Sequence, residues 1–320
     1  MRLTLPLVYG AIFLGVLFMS TSAIIIRYTL APAMIIAFYR VVFTSFFAAL
    51  FRGSRLRPSL TNIAKTDFIF IAGAGFFLAL HFAFWISSLS YTSISSSVLF
   101  TNLQVIFVFI FSVFFLKEKL HPLATIGILV ALAGSVLIGL GDIKQGRFLG
   151  DILALASGLF VAIYFIIGRD VRKRIDALTY TSITSFVAAL VLFLAALIFS
   201  LEFTGYGLSV WLLFILLALV AGVGGHAILN WALKYVKAPL VAVSILGESV
   251  GASILAYLFF KEYLMWYQMI GGFLILAGIY VAAVYEAKTA TKQGDAKQGD
   301  VQTPNRGTVL RLGMISHDDP

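Results

Sequence analysis

Two ionisable side chains stand inside apolar runs long enough to cross a bilayer: Arg40, in the run 33–51, and Glu248, in the run 239–259. A charge at the bilayer centre costs at least ~2.5–3.5 kcal/mol on insertion scales, so each needs a partner or a task. Together they suit a zwitterion. Arg40 would face a carboxylate or phosphate, and Glu248 an ammonium group or a transported proton, which makes Glu248 the candidate for proton coupling. The competing reading is a mutual ion pair that pins two helices and touches no substrate.

Uncharged polar and aromatic residues could complete such a site. His81 and Trp85 are four apart and share a helix face, and His226 and Asn230 repeat that spacing with Trp231 beside them. A tryptophan could cover an apolar or cationic part of a ligand, while His or Asn orients it through hydrogen bonds. His226 lies nearer the end expected to be cytoplasmic, which favours packing for it. Thr101, Asn102 and Gln104 sit halfway along the run 93–115, and Tyr39 precedes Arg40, with Tyr164 a weaker case of the same kind. The alternative for all of these is interhelical hydrogen bonding, worth only ~0.6 kcal/mol on average in membranes. Ser20-Thr21-Ser22, Ser95-Ser96-Ser97, Ser244 and Ser253 read as small packing residues. Each His pair supplies a single imidazole with no carboxylate completing a set, so no metal site is expected.

The composition says what must hold these residues. Of 320 residues 61% are apolar and only 12% charged, against about 25% charged in average soluble domains. A mean hydropathy of +1.02 agrees. The absence of cysteine excludes disulfides, thiolate metal sites and a cysteine nucleophile. Ten apolar runs are predicted as transmembrane helices, at 8–27, 33–51, 68–89, 93–115, 122–141, 149–168, 178–200, 209–231, 239–259 and 264–285. The first has no small-residue cleavage site and is too long for a signal-peptide core, so it is expected to be retained.

Ten helices leave both termini on one side. With the N-terminus inside, the inner loops and tail carry 18 Lys and Arg and the outer loops only Arg27, Lys144, Arg147 and Lys261. Basic loops stay cytoplasmic, so both termini are expected in the cytoplasm of a cell that holds the chain in its inner membrane. Residues 287–320 are polar, repeat Lys-Gln-Gly-Asp at 292–295 and 297–300, and read as a disordered tail.

The chain also resembles itself. Residues 117–134 (KEKLHPLATIGILVALAG) lie over 261–278 (KEYLMWYQMIGGFLILAG) with 8 of 18 positions identical, a spacing of 144 that also sets Gln104 over Glu248. At a spacing of 140, Thr44-Ser45-Phe46 falls over Thr184-Ser185-Phe186. Each half, 1–142 and 143–286, therefore holds five helices, and an odd number makes the second half enter from the opposite side. Inverted repeats let two halves exchange roles around a midplane site, which is how secondary transporters work. The expected fold is an all-α integral membrane protein of two inverted five-helix repeats.

The aliphatic-Lys-Glu turn before the last helix of each half, the stretch His81 to Ser93 and the segment Gly247-Glu248-Ser249-Val250-Gly251-Ala252 resemble the EamA-type transporters of the drug/metabolite transporter superfamily. The resemblance covers residues 1 to about 286. It implies a transporter of small metabolites, amino acids or related compounds, often an exporter. The chain departs from the family at Val105 and Ser249, where proline is common, so no proline kink is expected there.

Arg40 with Glu248 favours amino acids and related zwitterions, exported by alternating access, over sugars, nucleosides or drug-like cations. One deep cation suits sugar phosphates and nucleotide sugars less well, since more negative charge wants more Arg or Lys. A membrane enzyme would need a base–nucleophile pair, a carboxylate dyad or metal ligands, and a channel would show a pore loop or charged rings. Neither pattern is present in the sequence. No cofactor is expected. The partners are a small-molecule substrate and the lipid bilayer, with a coupling proton as a candidate third and no nucleic acid.

Overall fold

The computed structural model describes residues 5–55, 61, 63–117, 121–142, 148–261, 263 and 265–302, and the regular structure among them is entirely helical. Several expectations fall outside these residues: the basic residues Arg2, Arg57, Lys119, Lys144, Arg147, Arg306 and Arg311, Glu118 and Glu262 of the two Lys-Glu turns, and the tail from 303. Eight stretches are long and apolar enough to span a membrane, and the apolar stretches Pro122–Leu137 and Met269–Tyr285 are shorter. Among the described residues, eight of the ten runs read from the sequence are thus long and apolar enough to span a membrane.

Several spans are made of two pieces. The first is α1 (Leu5–Ser20) and α2 (Ser22–Tyr28), and the second and third are α3 (Ala33–Arg52) and α4 (Lys65–Ser88). The fourth divides at Leu103 into α5 (Ile94–Asn102) and α6 (Gln104–Phe115). Next come α7 (Pro122–Asp142), α8 (Phe148–Val171) and α9 (Ala177–Ile198). The eighth span joins α10 (Leu208–Leu217), a π-helical segment Ala218–Ala227 and α11 (Ile228–Ala232). The ninth divides at Leu246 into α12 (Ala238–Ile245) and α13 (Gly247–Phe260), and α14 (Trp266–Gln302) is last. The backbone of α14 runs past the expected boundary at 286/287 to Gln302. Its Ala, Lys and Gln suit a helix, and the first proline comes only at Pro304.

The two divided spans share their local geometry. Ile106 N–H donates to the Leu103 carbonyl at 3.0 Å and Ser249 N–H to that of Leu246 at 3.1 Å, so each break is a tight three-residue turn. Such a turn within a helix marks a hinge or a strained position. A break was not expected without proline. Here local tightening of the backbone interrupts the helix, and no residue need lose its amide.

Neighbours are set by close approach. α3 packs on α9, α4 on α8, α1 on the π-helical segment and α7 on α14. α5 lies against α13 and α6 against α12. The loops expected inside meet at one end: Arg174 bridges Asp67 and Asp170 at 2.8 Å each, and Arg52 meets Asp176 at 3.1 Å. At the other end Arg27 donates to the Thr92 carbonyl, and Thr92 donates to Asp151.

Glycine makes the α7–α14 contact. A Cβ on Gly278 would lie 2.5 Å from both the Ala131 nitrogen and the Gly127 carbonyl oxygen, so any side chain there must push two backbones apart. Gly73, with nothing within 4 Å of its position, is the control. Gly278→Ala should cost about 1–3 kcal/mol and lower the melting temperature in detergent, whereas Gly73→Ala should leave it unchanged or raise it slightly.

Candidate functional site

Arg40 is held by three elements. α3 carries it, buried with 1% of its surface exposed; α2 supplies Ser22, whose Oγ accepts from Arg40 Nη1 at 2.9 Å; α4 supplies the rings of Phe82 and Trp85. The guanidinium carbon sits 4.1 Å from the Phe82 ring centre and 5.6 Å from that of Trp85. Arg40 Nε is buried and has no hydrogen-bond partner.

Arg40, His81, Trp85, Asn102, Gln104, His226 and Glu248 line one cavity. The space left free inside it is about 20 Å³, room for one water, so a larger ligand requires the walls to move apart. Glu248, in the first turn of α13 and 5% exposed, faces the same space as Arg40 and interacts with it electrostatically. Among the described residues no ion pair within 4.0 Å joins the two, so the mutual ion pair anticipated as an alternative is not formed.

The remaining wall is polar on one side and apolar on the other. Asn102 Nδ2 donates to Ser249 Oγ at 2.9 Å, and Gln104 Nε2 donates to Asn102 Oδ1 at 3.4 Å. Gln104 Oε1 is buried without a partner. His81 Nδ1 lies 2.8 Å from Ser157 Oγ, which fixes its ring parallel to Trp85. Met19, Val98, Val161, Phe165 and Ile245 supply the apolar surface.

His226 differs from its expected packing role. Its ring lies 6.3 Å from that of His81, it lines the cavity, and its Nδ1 is buried without a partner. His226 lies at the end of the π-helical segment Ala218–Ala227 and Asn230 in the α-helical turn after it, and the two side chains meet different neighbours.

Three expected residues lie elsewhere. Asn230 Nδ2 donates to the Tyr164 hydroxyl at 2.5 Å and Thr181 Oγ1 at 3.0 Å, and its carbonyl accepts from Arg172 Nε at 2.9 Å. Tyr39 donates to the Phe203 carbonyl at 2.6 Å and stacks on Phe214. Trp231 lies against Tyr235 with the rings tilted at 53° and lines a separate apolar groove beside Ala177 and Leu178. Tyr39 and Trp231 follow from helix geometry, since neighbouring positions do not share a face and Arg40 and Asn230 occupy the inward ones.

Ser22 and Phe82 were not singled out from the sequence, Ser22 having been read as a packing residue. Phe82 had a usable signal: it is three residues before Trp85 and so shares its face. Ser22 had none, because its partner lies in another helix, 18 residues away.

The comparisons with known proteins can be set beside this geometry. A model of the EamA-like transporter family matches residues 7–140 and again 148–284. The chain belongs to the EamA-like transporter family. It is thus a multi-pass membrane transporter of the drug/metabolite transporter superfamily. An uncharacterized transporter of Archaeoglobus fulgidus is 27% identical over 279 residues, covering 86% of this chain and 96% of its own. Human solute carrier family 35 member G1 is 24% identical over 207 residues, covering 60% of this chain and 56% of its own. A crystal structure at 19% identity covers 88% of this chain and 99% of its own with a TM-score of 0.68, a likeness of fold.

The Arg40 clamp is testable in this EamA-like protein by a double-mutant cycle. Ser22→Ala leaves a buried guanidinium N–H unpaired and should destabilise by about 1–3 kcal/mol. In an Arg40→Leu background the same change should cost at most about 0.5 kcal/mol, measured by thermal unfolding.

Proposed function

We propose that the protein is a secondary active transporter of amino acids and related zwitterions, working by alternating access around the Arg40–Glu248 cavity. One observation carries this reading: a cation and an anion face one enclosed space without pairing, and Arg40 Nε has a free donor there. A ligand with a carboxylate and an ammonium group satisfies both, whereas a neutral sugar leaves both charges uncompensated. Glu248 is also the group placed to carry a coupling proton. Export is the direction the family resemblance implies.

Alternating access is supported by how the elements pair. Shifted by the repeat spacing, the contact of α5 with α13 becomes that of α12 with α6, and the contact of α4 with α8 becomes that of the eighth span with α1. The two helix breaks fall within one residue of corresponding places, and each is followed within two residues by a cavity residue, Gln104 and Glu248. This is the pairing of two halves of opposite orientation that can exchange roles. The bulk of Lys and Arg at the end where Arg52, Asp67 and Arg174 meet supports a cytoplasmic location for that end and for both termini.

Thermal stability of the purified full chain across amino acids, sugars, nucleosides and organic cations tests the substrate class. A ligand at a hundredfold excess over Kd stabilises by about 2.7 kcal/mol, a shift of several degrees. Amino acids should shift the wild type, and neither Arg40→Gln nor Glu248→Gln should respond while each stays folded. Shifts by sugars or nucleosides, or undiminished amino acid shifts in both variants, contradict the proposal. If Glu248→Gln transports with its full dependence on a proton gradient, the proton role is lost.

A further inference from the structure

Glu248 is one acceptor in the cavity, but an ammonium group carries three N–H donors and a single carboxylate leaves donors over. Gln104 lies at the corresponding place in the other half, 144 residues earlier; it is the first residue after the break at Leu103 and Glu248 the second after that at Leu246, and both line the cavity. It is 2% exposed, and its Oε1 is buried with nothing to accept from. A carbonyl oxygen buried at that depth without a donor is destabilising until a ligand supplies one.

Its orientation is set from behind. Nε2 of Gln104 donates to Asn102 Oδ1, and Asn102 Nδ2 donates to Ser249 Oγ on the facing helix. With Asn102 turned this way, its Oδ1 meets Gln104 Nε2 and the Gln104 oxygen is left without a donor. Ser249 directly follows Glu248, so the relay also ties the two acceptors to each other across the α5–α13 contact.

We propose that Gln104 Oε1 is a substrate-binding acceptor that works beside the Glu248 carboxylate, so that the cavity selects primary ammonium groups, and that Asn102 with Ser249 positions it. This deepens, and rests on, the zwitterion reading. A trimethylammonium group carries the same charge with no N–H. It satisfies Glu248 by Coulomb attraction but leaves Gln104 Oε1 orphaned, and a site built to hydrogen-bond a ligand rejects the analogue that lacks the donor. Gln104 therefore sets specificity, and Glu248 sets charge.

The test measures binding to the full-length protein of two matched pairs: leucine and its N,N,N-trimethyl betaine, and hexylamine and hexyltrimethylammonium. The wild type should bind each primary amine at least about tenfold more tightly than its trimethyl partner. Gln104→Leu should weaken the primary amines by about tenfold and leave the trimethyl compounds within about twofold. Asn102→Leu should do the same to a smaller degree, with the ligand-free melting temperature held. Exclusion by size alone would survive in Gln104→Leu, because the side chain is of similar bulk. Should that variant not fold, Gln104→Met keeps the length without the carbonyl.

Equal binding within both pairs, or equal loss of all ligands in the Gln104 variants, overturns the proposal, as does absence of binding by all four. If neither zwitterion binds but hexylamine is preferred over its trimethyl form in a Gln104-dependent way, the acceptor pair stands and the zwitterion reading falls. If both zwitterions bind equally well, the zwitterion reading stands and the acceptor pair falls.

Discussion

The arrangement of the cavity depends on how a guanidinium is kept at depth in an apolar bundle without an anion beside it. The insertion cost is at least ~2.5–3.5 kcal/mol. A desolvated cation over an aromatic face recovers about 2 kcal/mol, and a hydrogen bond to a charged group about 1.5–3 kcal/mol. Phe82, Trp85 and Ser22 provide both kinds of contact to Arg40, and their sum is of the same size as the cost. Glu248 is therefore not needed to neutralise Arg40. That frees both charges to face the cavity, where a collapsed ion pair would have left a structural pin and no binding site.

Backbone irregularity serves the same end. The turns at Leu103 and Leu246 bring Gln104 and Glu248 to the cavity from helices that pack across one another, and the π-helical segment turns His226 to it. Small residues allow this closeness: a Cβ on Gly225 would meet the Met19 side chain at 2.6 Å, and one on Gly222 would meet Thr44 at 2.1 Å. An all-α bundle with ordinary side chains there could not seat α1 and α3 on the π-helical segment. The polar clusters at the end containing Asp67, Arg174, Arg172 and Asn230 tie four spans together, and they lie apart from the cavity.

What the sequence made legible follows from physics that composition alone carries. Continuous apolar runs and the rarity of intramembrane charge pointed to a membrane bundle and to Arg40 and Glu248, because both signals rest on transfer energies and not on partners. His81 with Trp85 could be read from a four-residue spacing, since α4 is a regular helix. The same spacing does not place His226 and Asn230 together: His226 lines the cavity and Asn230 bonds Tyr164. Tyr39 and Trp231 were nominated by adjacency to inward residues, which in a helix is a reason to point elsewhere. Ser22, the breaks at Leu103 and Leu246 and the Asn102–Ser249 link are tertiary facts. They depend on which helices meet, and one sequence does not encode that in any local spacing.

The central claim is that one cavity binds a zwitterion between Arg40 and Glu248 and carries it across the membrane. The most direct measurement is counterflow in proteoliposomes loaded with unlabelled amino acids and diluted into a trace of the radiolabelled mixture. The account predicts label accumulation by the wild type and none by Arg40→Gln or Glu248→Gln, reconstituted at equal density and folded. Label exchange by both variants at the wild-type rate, or none by the wild type, would contradict it.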